Sequence, residues 1–175
     1  NGTGNNNEGV TITGAAIVES SAGKIELLGT ATGGTNFNKG VVVAGAGSGI
    51  RNNGGGTLLT GIGAGTGNDN FGIQLESGGF IESTDSGTIT LIGTGSAGVS
   101  ANQGILLKGA GATISSLNGN ISLNGTGGNG TGNNNEGVTI IGDALIQSTG
   151  TGAIDITGNA TNGISFNKGI VFLNA

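Results

Sequence analysis

The 175-residue sequence holds 42 glycines and five Phe but no Pro, Cys, His, Met, Trp or Tyr, and its ten acidic and five basic side chains give a net charge of -5. These absences exclude disulfides, thiolate and imidazole metal sites and the usual nucleophile–base pairs, so no catalytic residue, cofactor or metal site is expected. With no basic run and no apolar run near the roughly 20 residues of a membrane span, neither nucleic acid nor a membrane crossing is expected.

Glycine-rich sequence without a period reads as disordered. Here a pattern Asn-x-Gly-[Val/Ile]-x-[aliphatic or Phe] occurs six times, first as Asn7-Glu8-Gly9-Val10-Thr11-Ile12. Its glycine returns at Gly40, Gly72, Gly104, Gly137 and Gly169, intervals of 31 to 33 residues. A fixed period in this range marks a stacked architecture in which each unit contacts only its neighbours.

In the first unit the apolar residues alternate over three short segments, Val10-Thr11-Ile12, Ile17-Val18-Glu19 and Ile25-Glu26-Leu27, separated by glycine-rich bends. Segments this short, alternating and rich in β-branched residues predict strands rather than helices. Three strands per coil predict an all-β fold: a parallel β-helix, or β-solenoid, of about five and a half coils of 32 residues, continuous over residues 1–175.

The third segment recurs as Thr57/Leu59, Ile89/Leu91, Ile121/Leu123 and Ile154/Ile156, with a glycine two residues later at Gly29, Gly61, Gly93, Gly125 and Gly158. The middle segment aligns Val18, Ile50, Ile81, Ile114 and Ile146 in one column. Stacking such columns in parallel sheets places like residues about 4.8 Å apart, with alternate side chains inward. Bends of Gly, Asn, Ser and Thr suit turns, and the motif glycines are read as bend residues.

A longer period overlies the first. Residues 1–12 are identical to 129–140, and Phe37-Asn38-Lys39-Gly40 returns as Phe166-Asn167-Lys168-Gly169. The chain is therefore expected to be a slice of a longer tandem array, its ends lacking the polar cap or helix that a free solenoid end needs.

An asparagine two before each motif glycine is present in every coil: Asn7, Asn38, Asn70, Asn102, Asn135 and Asn167. Two residues further back stands a second polar column of Asn5, Asn36, Asn68, Ser100, Asn133 and Ser165. A ligand-facing stripe would use such columns. A structural asparagine ladder, its stacked amides bonded to one another and to backbone, is the preferred reading, because buried polar groups need partners.

Charges also fall in columns. The middle strand places Arg51 between Glu19 and Glu82, and the column before the glycine reads Glu8, Lys39, Phe71, Gln103, Glu136, Lys168. Glu19 and Glu82, two coils or about 9.6 Å apart, could be read as a carboxylate pair. Cross-strand charge pairing that fixes register is preferred. The stretch from Gly65 to Phe71 resembles one copy of a calcium-binding nonapeptide, but that motif works by repetition at nine residues and calcium needs six or more oxygens. The column Thr11, Val42, Gln74, Leu106, Thr139, Val171, outward by alternation, is too irregular for an ice-binding threonine array; its apolar members suggest a lateral packing surface, with Phe37 and Phe166 as candidate contributors.

The run Asn-Asn-Asn-Glu-Gly-Val-Thr-Ile followed by Gly-x-Ile-x-Leu-x-Gly-Thr-like segments resembles the repeats of filamentous haemagglutinin-like surface proteins, large secreted bacterial adhesins, over the whole chain. That resemblance implies a right-handed parallel β-helix and an extracellular or cell-surface location. The function expected is that of a non-enzymatic rod or filament, associating end to end with further copies or repeats. The alternative is an adhesin whose corner loops bind surface glycans or other cells.

Overall fold

The computed structural model describes residues 2–174, and among them every regular element is a β-strand. Three parallel sheets run the length of the chain. Sheet one contains Val10–Ile12, Val41–Ala44, Ile73–Glu76, Ile105–Lys108, Val138–Ile141 and Ile170–Leu173. Sheet two contains Ile17–Ser20, Gly49–Asn52, Phe80–Ser83, Thr113–Ser116 and Leu145–Ser148. Sheet three contains Ile25–Thr30, Thr57–Ile62, Ile89–Thr94, Ile121–Thr126 and Ile154–Asn159. Each strand pairs only with its counterparts one coil away, so the fold is a β-solenoid of five complete coils and the first strand of a sixth.

The register is the one the repeats dictate. Val10, Val41, Ile73, Ile105, Val138 and Ile170 are directly aligned in sheet one. Val18, Ile50, Ile81, Ile114 and Ile146 align in sheet two, and Leu27, Leu59, Leu91, Leu123 and Ile156 in sheet three. Members of these columns interlock in one core, with Ile50, Leu59, Ile73, Ile81, Leu91, Ile105 and Ile114 wholly buried. A one-residue slip would turn every core column to solvent, so the alternation holds the coils in register.

Sheet three departs from expectation in length: its strands run six residues, through the glycine column instead of stopping before it. A glycine inside a strand marks close approach by another backbone. A Cβ on Gly61 would fall against the Gly72 carbonyl oxygen and 2.6 Å from Ile73 Cγ1, and one on Gly93 would meet Gly104 and Ile105 in the same way. The glycines of sheet three and those of the repeated motif are therefore facing partners at one crossing of the chain.

At each motif glycine the chain bends, yet none adopts a left-handed φ. That conformation belongs to the residue just before each ladder asparagine: Asn6, Phe37, Asp69, Ala101, Asn134 and Phe166, with φ of 60°, 60°, 59°, 53°, 57° and 58°. Left-handed backbone costs an ordinary L-residue about 1–2 kcal/mol, and Asn or Asp less because the side chain bonds locally. Ala101→Asn is accordingly expected to raise stability by about 0.5–1 kcal/mol in urea denaturation. Among the described residues no helix is long and apolar enough to cross a membrane.

Candidate functional site

The motif asparagines sit where the chain enters sheet one, and four of them, Asn38, Asn70, Asn102 and Asn135, are completely buried. They form a continuous ladder. The Asn7 amide Nδ2 and backbone N–H both donate to Asn38 Oδ1, at 2.8 and 3.0 Å, and Asn38 donates in the same two ways to Asn70 Oδ1, at 2.9 and 3.0 Å. The backbone N–H groups of Asn70, Asn102 and Asn135 continue it to the side chains of Asn102, Asn135 and Asn167, at 3.1, 3.2 and 2.9 Å. Asn102 Nδ2 also donates to Asn135 Oδ1, at 3.2 Å, and other amide hydrogens reach main-chain carbonyls, such as Asn70 Nδ2 to Thr35 O at 3.0 Å.

The second polar column is also a ladder, exposed and running in the opposite sense. Here the backbone N–H of the later coil donates to the side chain of the earlier one: Asn36 to Asn5 Oδ1 at 2.9 Å, Asn68 to Asn36 Oδ1 at 2.7 Å, Ser100 to Asn68 Oδ1 at 3.0 Å and Asn133 to Ser100 Oγ at 3.0 Å. In the first five coils the two ladders flank the left-handed residue on both sides and hold the turn.

The charge column of sheet two is assembled as its spacing implied. Arg51 Nε donates to Glu82 Oε2 at 2.9 Å, and its Nη1 lies 3.9 Å from Glu19 Oε1. Its guanidinium stands 5.3 Å from the centre of the Phe80 ring, which in turn covers Gly49 where no Cβ intrudes. The pairs are partly exposed and worth less than about 1 kcal/mol each. Both carboxylates are held by the same arginine. In the neighbouring column Lys39 Nζ lies 3.5 Å from Glu8 Oε1, and Gln103 Nε2 donates to Glu136 Oε2 at 2.9 Å.

The outer face of sheet one, whose apolar members suggested a lateral packing surface, carries a groove. Val42 and Leu106, although on the outward side, are buried, and the side chains before the bend rise beside them. The result is a groove of about 390 Å³ with Gln74, Leu106 and Thr139 from the sheet, Lys39, Phe71 and Gln103 from the approach to it, and Phe37 and Asp69 from the turn. Phe37 stands 43% exposed at its margin, whereas Phe71 is buried; Phe166, in the turn of the sixth coil, is exposed as well. Three polar atoms of residues beside the groove, Gln74 Oε1, Gln103 Oε1 and Thr139 Oγ1, are buried without a hydrogen-bond partner. A polar group left in that condition costs about 1–3 kcal/mol.

Burial raises the Asp69 carboxyl above its ordinary range, opposed by the positive charges of Lys39 and Lys108. Burial likewise raises Glu136, against the hydrogen bond from Gln103. For a carboxyl raised on folding, the associated stability is fully present below its unfolded value and is lost as pH rises through the folded one. Asp69→Asn and Glu136→Gln are therefore each expected to raise Tm at pH 7, with the difference from wild type disappearing in acid. A lower Tm for both variants at pH 7 would contradict this assignment. Among the described residues no three Asp or Glu side chains are grouped as metal ligands, Asp69 included.

Asn52 is a structural residue that the repeat columns did not single out. Its Oδ1 accepts from the N–H groups of Gly54 and Gly55 at 2.9 and 2.7 Å, and its Nδ2 donates to the carbonyls of Gly23 and Gly56 at 2.8 and 2.9 Å. The available signal was the Asn-Asn-Gly-Gly-Gly run, a bend that offers several main-chain groups to one amide. Compared with protein families, curated proteins and solved structures, the chain matches no family model, no curated protein and no solved structure.

Proposed function

We propose that this chain is a non-enzymatic structural segment of an extracellular or cell-surface rod, of the filamentous haemagglutinin-like kind, that lengthens by stacking coil on coil. The observation that carries this reading is an equivalence of surfaces. The fifth coil packs on the fourth through the ladder and the sheet-one pairing, and it is entered by the same twelve residues, 129–140, that enter the first coil as 1–12. The first coil of one repeat is thus suited to pack on the fourth coil of the repeat before it, as the fifth coil does within this chain. Parallel pairing in three sheets makes such a stack stiff along its axis, and no side-chain chemistry beyond hydrogen bonding and apolar packing is asked of it.

Electron microscopy and fibre diffraction of the native material test this. Long unbranched filaments with an axial layer line at about 4.8 Å are expected. Compact particles without that layer line would overturn the reading. The second reading, adhesion through the corner loops, is favoured by the groove beside sheet one, and it predicts surface rods that lose attachment when those loops are shortened.

A further inference from the structure

We propose that the outer face of sheet three is a homotypic interface, on which a second copy of this chain packs side by side with its axis pointing the same way. The inference goes beyond the rod reading, adding lateral pairing to growth along the axis, and it does not depend on that growth. Sheet three has the longest strands, six residues each, and alternation turns three of every six outward. In the second, third and fourth coils this face carries no charge. The outer face of sheet one carries Glu76 and Lys108, and that of sheet two Glu19, Arg51 and Glu82. Sheet three also holds large apolar side chains in water: Leu28 is 66% exposed, Ile62 39% and Ile92 40%.

The order of residues on the face selects the partner and its direction. The middle outward column reads Leu28, Thr60, Ile92, Asn124, Thr157. A two-fold axis along the rod sets each coil against the same coil of the second copy, the middle column opposite itself and the first outward column opposite the third. Like then meets like. Leu28 and Ile92 each face their own copies, Leu58 faces Ile62, Thr90 faces Thr94, and the carboxylates of Glu26 and Asp155 face Thr30 and Asn159. The reversed arrangement, first coil against fifth, sets Leu58 against Ser122 and Ile62 against Thr126, and it brings Glu26 onto Asp155. Apolar groups would then oppose polar ones and two carboxylates would meet, so the face is self-complementary in the parallel sense alone.

Five coils of six-residue strands span about 20 by 24 Å, or roughly 480 Å² of sheet. A stable complex buries about 800 Å² per partner, so one segment pairs weakly. Each further four-coil repeat would add about 400 Å² to the same face and strengthen the pairing with length.

Sedimentation over a concentration series, together with cross-linking, tests the interface. The sequence has no cysteine, so Thr60→Cys and Asn124→Cys each place a single thiol in the middle column. Ile92→Lys sets two like charges opposite each other on an exposed position between Thr60 and Asn124, where the fold asks nothing of the side chain. We expect wild type to form dimers in the upper micromolar range, and Ile92→Lys to weaken them at least about tenfold with Tm unchanged. A short bismaleimide should link Thr60→Cys to its own kind and not to a mass-tagged Asn124→Cys mixed with it. A monomer at millimolar concentration, dimers that Ile92→Lys leaves unaltered, failure of Thr60→Cys to link to itself, or its preferential linkage to Asn124→Cys would overturn the interface. Each of these results would leave the rod reading standing, because microscopy decides that one separately.

Discussion

Asn70→Leu is expected to destabilise the chain by about 3–5 kcal/mol, the largest effect of any single polar substitution in the ladder. The leucine would fill the same volume but accept nothing. Asn38 would lose the acceptor for both its backbone N–H and its Nδ2, and Thr35 would lose the donor to its carbonyl. These groups lie at the wall of a completely buried site, where each unpaired one costs about 1–3 kcal/mol. Asn7→Leu, on the least buried of the first three ladder asparagines, should cost about 1 kcal/mol. Urea denaturation of the two variants beside wild type measures the difference, and an unchanged midpoint for Asn70→Leu would refute the ladder as a source of stability.

Gly72→Ala should be comparably damaging for a different reason. A methyl group there would press on the Thr94 N–H and lie 2.5 Å from the Gly104 carbonyl oxygen and 2.8 Å from that of Gly61. All three are main-chain atoms held in sheets or bends, so none can swing aside. The coil would have to open where its third sheet passes its first, at a cost of about 3 kcal/mol or more. Gly14→Ala is the control. Gly14 is left-handed at φ 66° with open space around it, so its replacement carries only the backbone penalty of about 1–2 kcal/mol. Equal losses for the two variants would mean that the motif glycine is not selected by close approach.

Periodicity made the framework legible. Aliphatic columns separated by 32 residues defined the three sheets and their register, and asparagine recurring at one phase of that period pointed to a ladder. Less visible was the device that turns the chain. Asn6, Phe37, Asp69, Ala101, Asn134 and Phe166 share a backbone conformation and no side-chain chemistry, because bonds made by the neighbours on either side impose it. The reason for the motif glycine was hidden likewise, since a glycine required for contact with distant backbone looks the same in sequence as one required for a turn. The groove escaped notice for a related reason. Alternation set Val42, Gln74 and Leu106 on the outer face, but only the fold brings Phe37, Lys39 and Asp69 up beside them.

The two ladders beside each turn run in opposite senses, and this gives the axis a direction. The face that a coil turns toward its successor offers main-chain donors at the inner ladder and side-chain acceptors at the outer one; the face turned toward its predecessor offers the reverse. A coil laid on upside down, with like ladders meeting, would set donor against donor and acceptor against acceptor. End-to-end addition of the kind proposed would therefore be vectorial: like faces would not pair through their ladders, the two tips of the assembly would be chemically unlike, and growth would proceed at unequal rates from them.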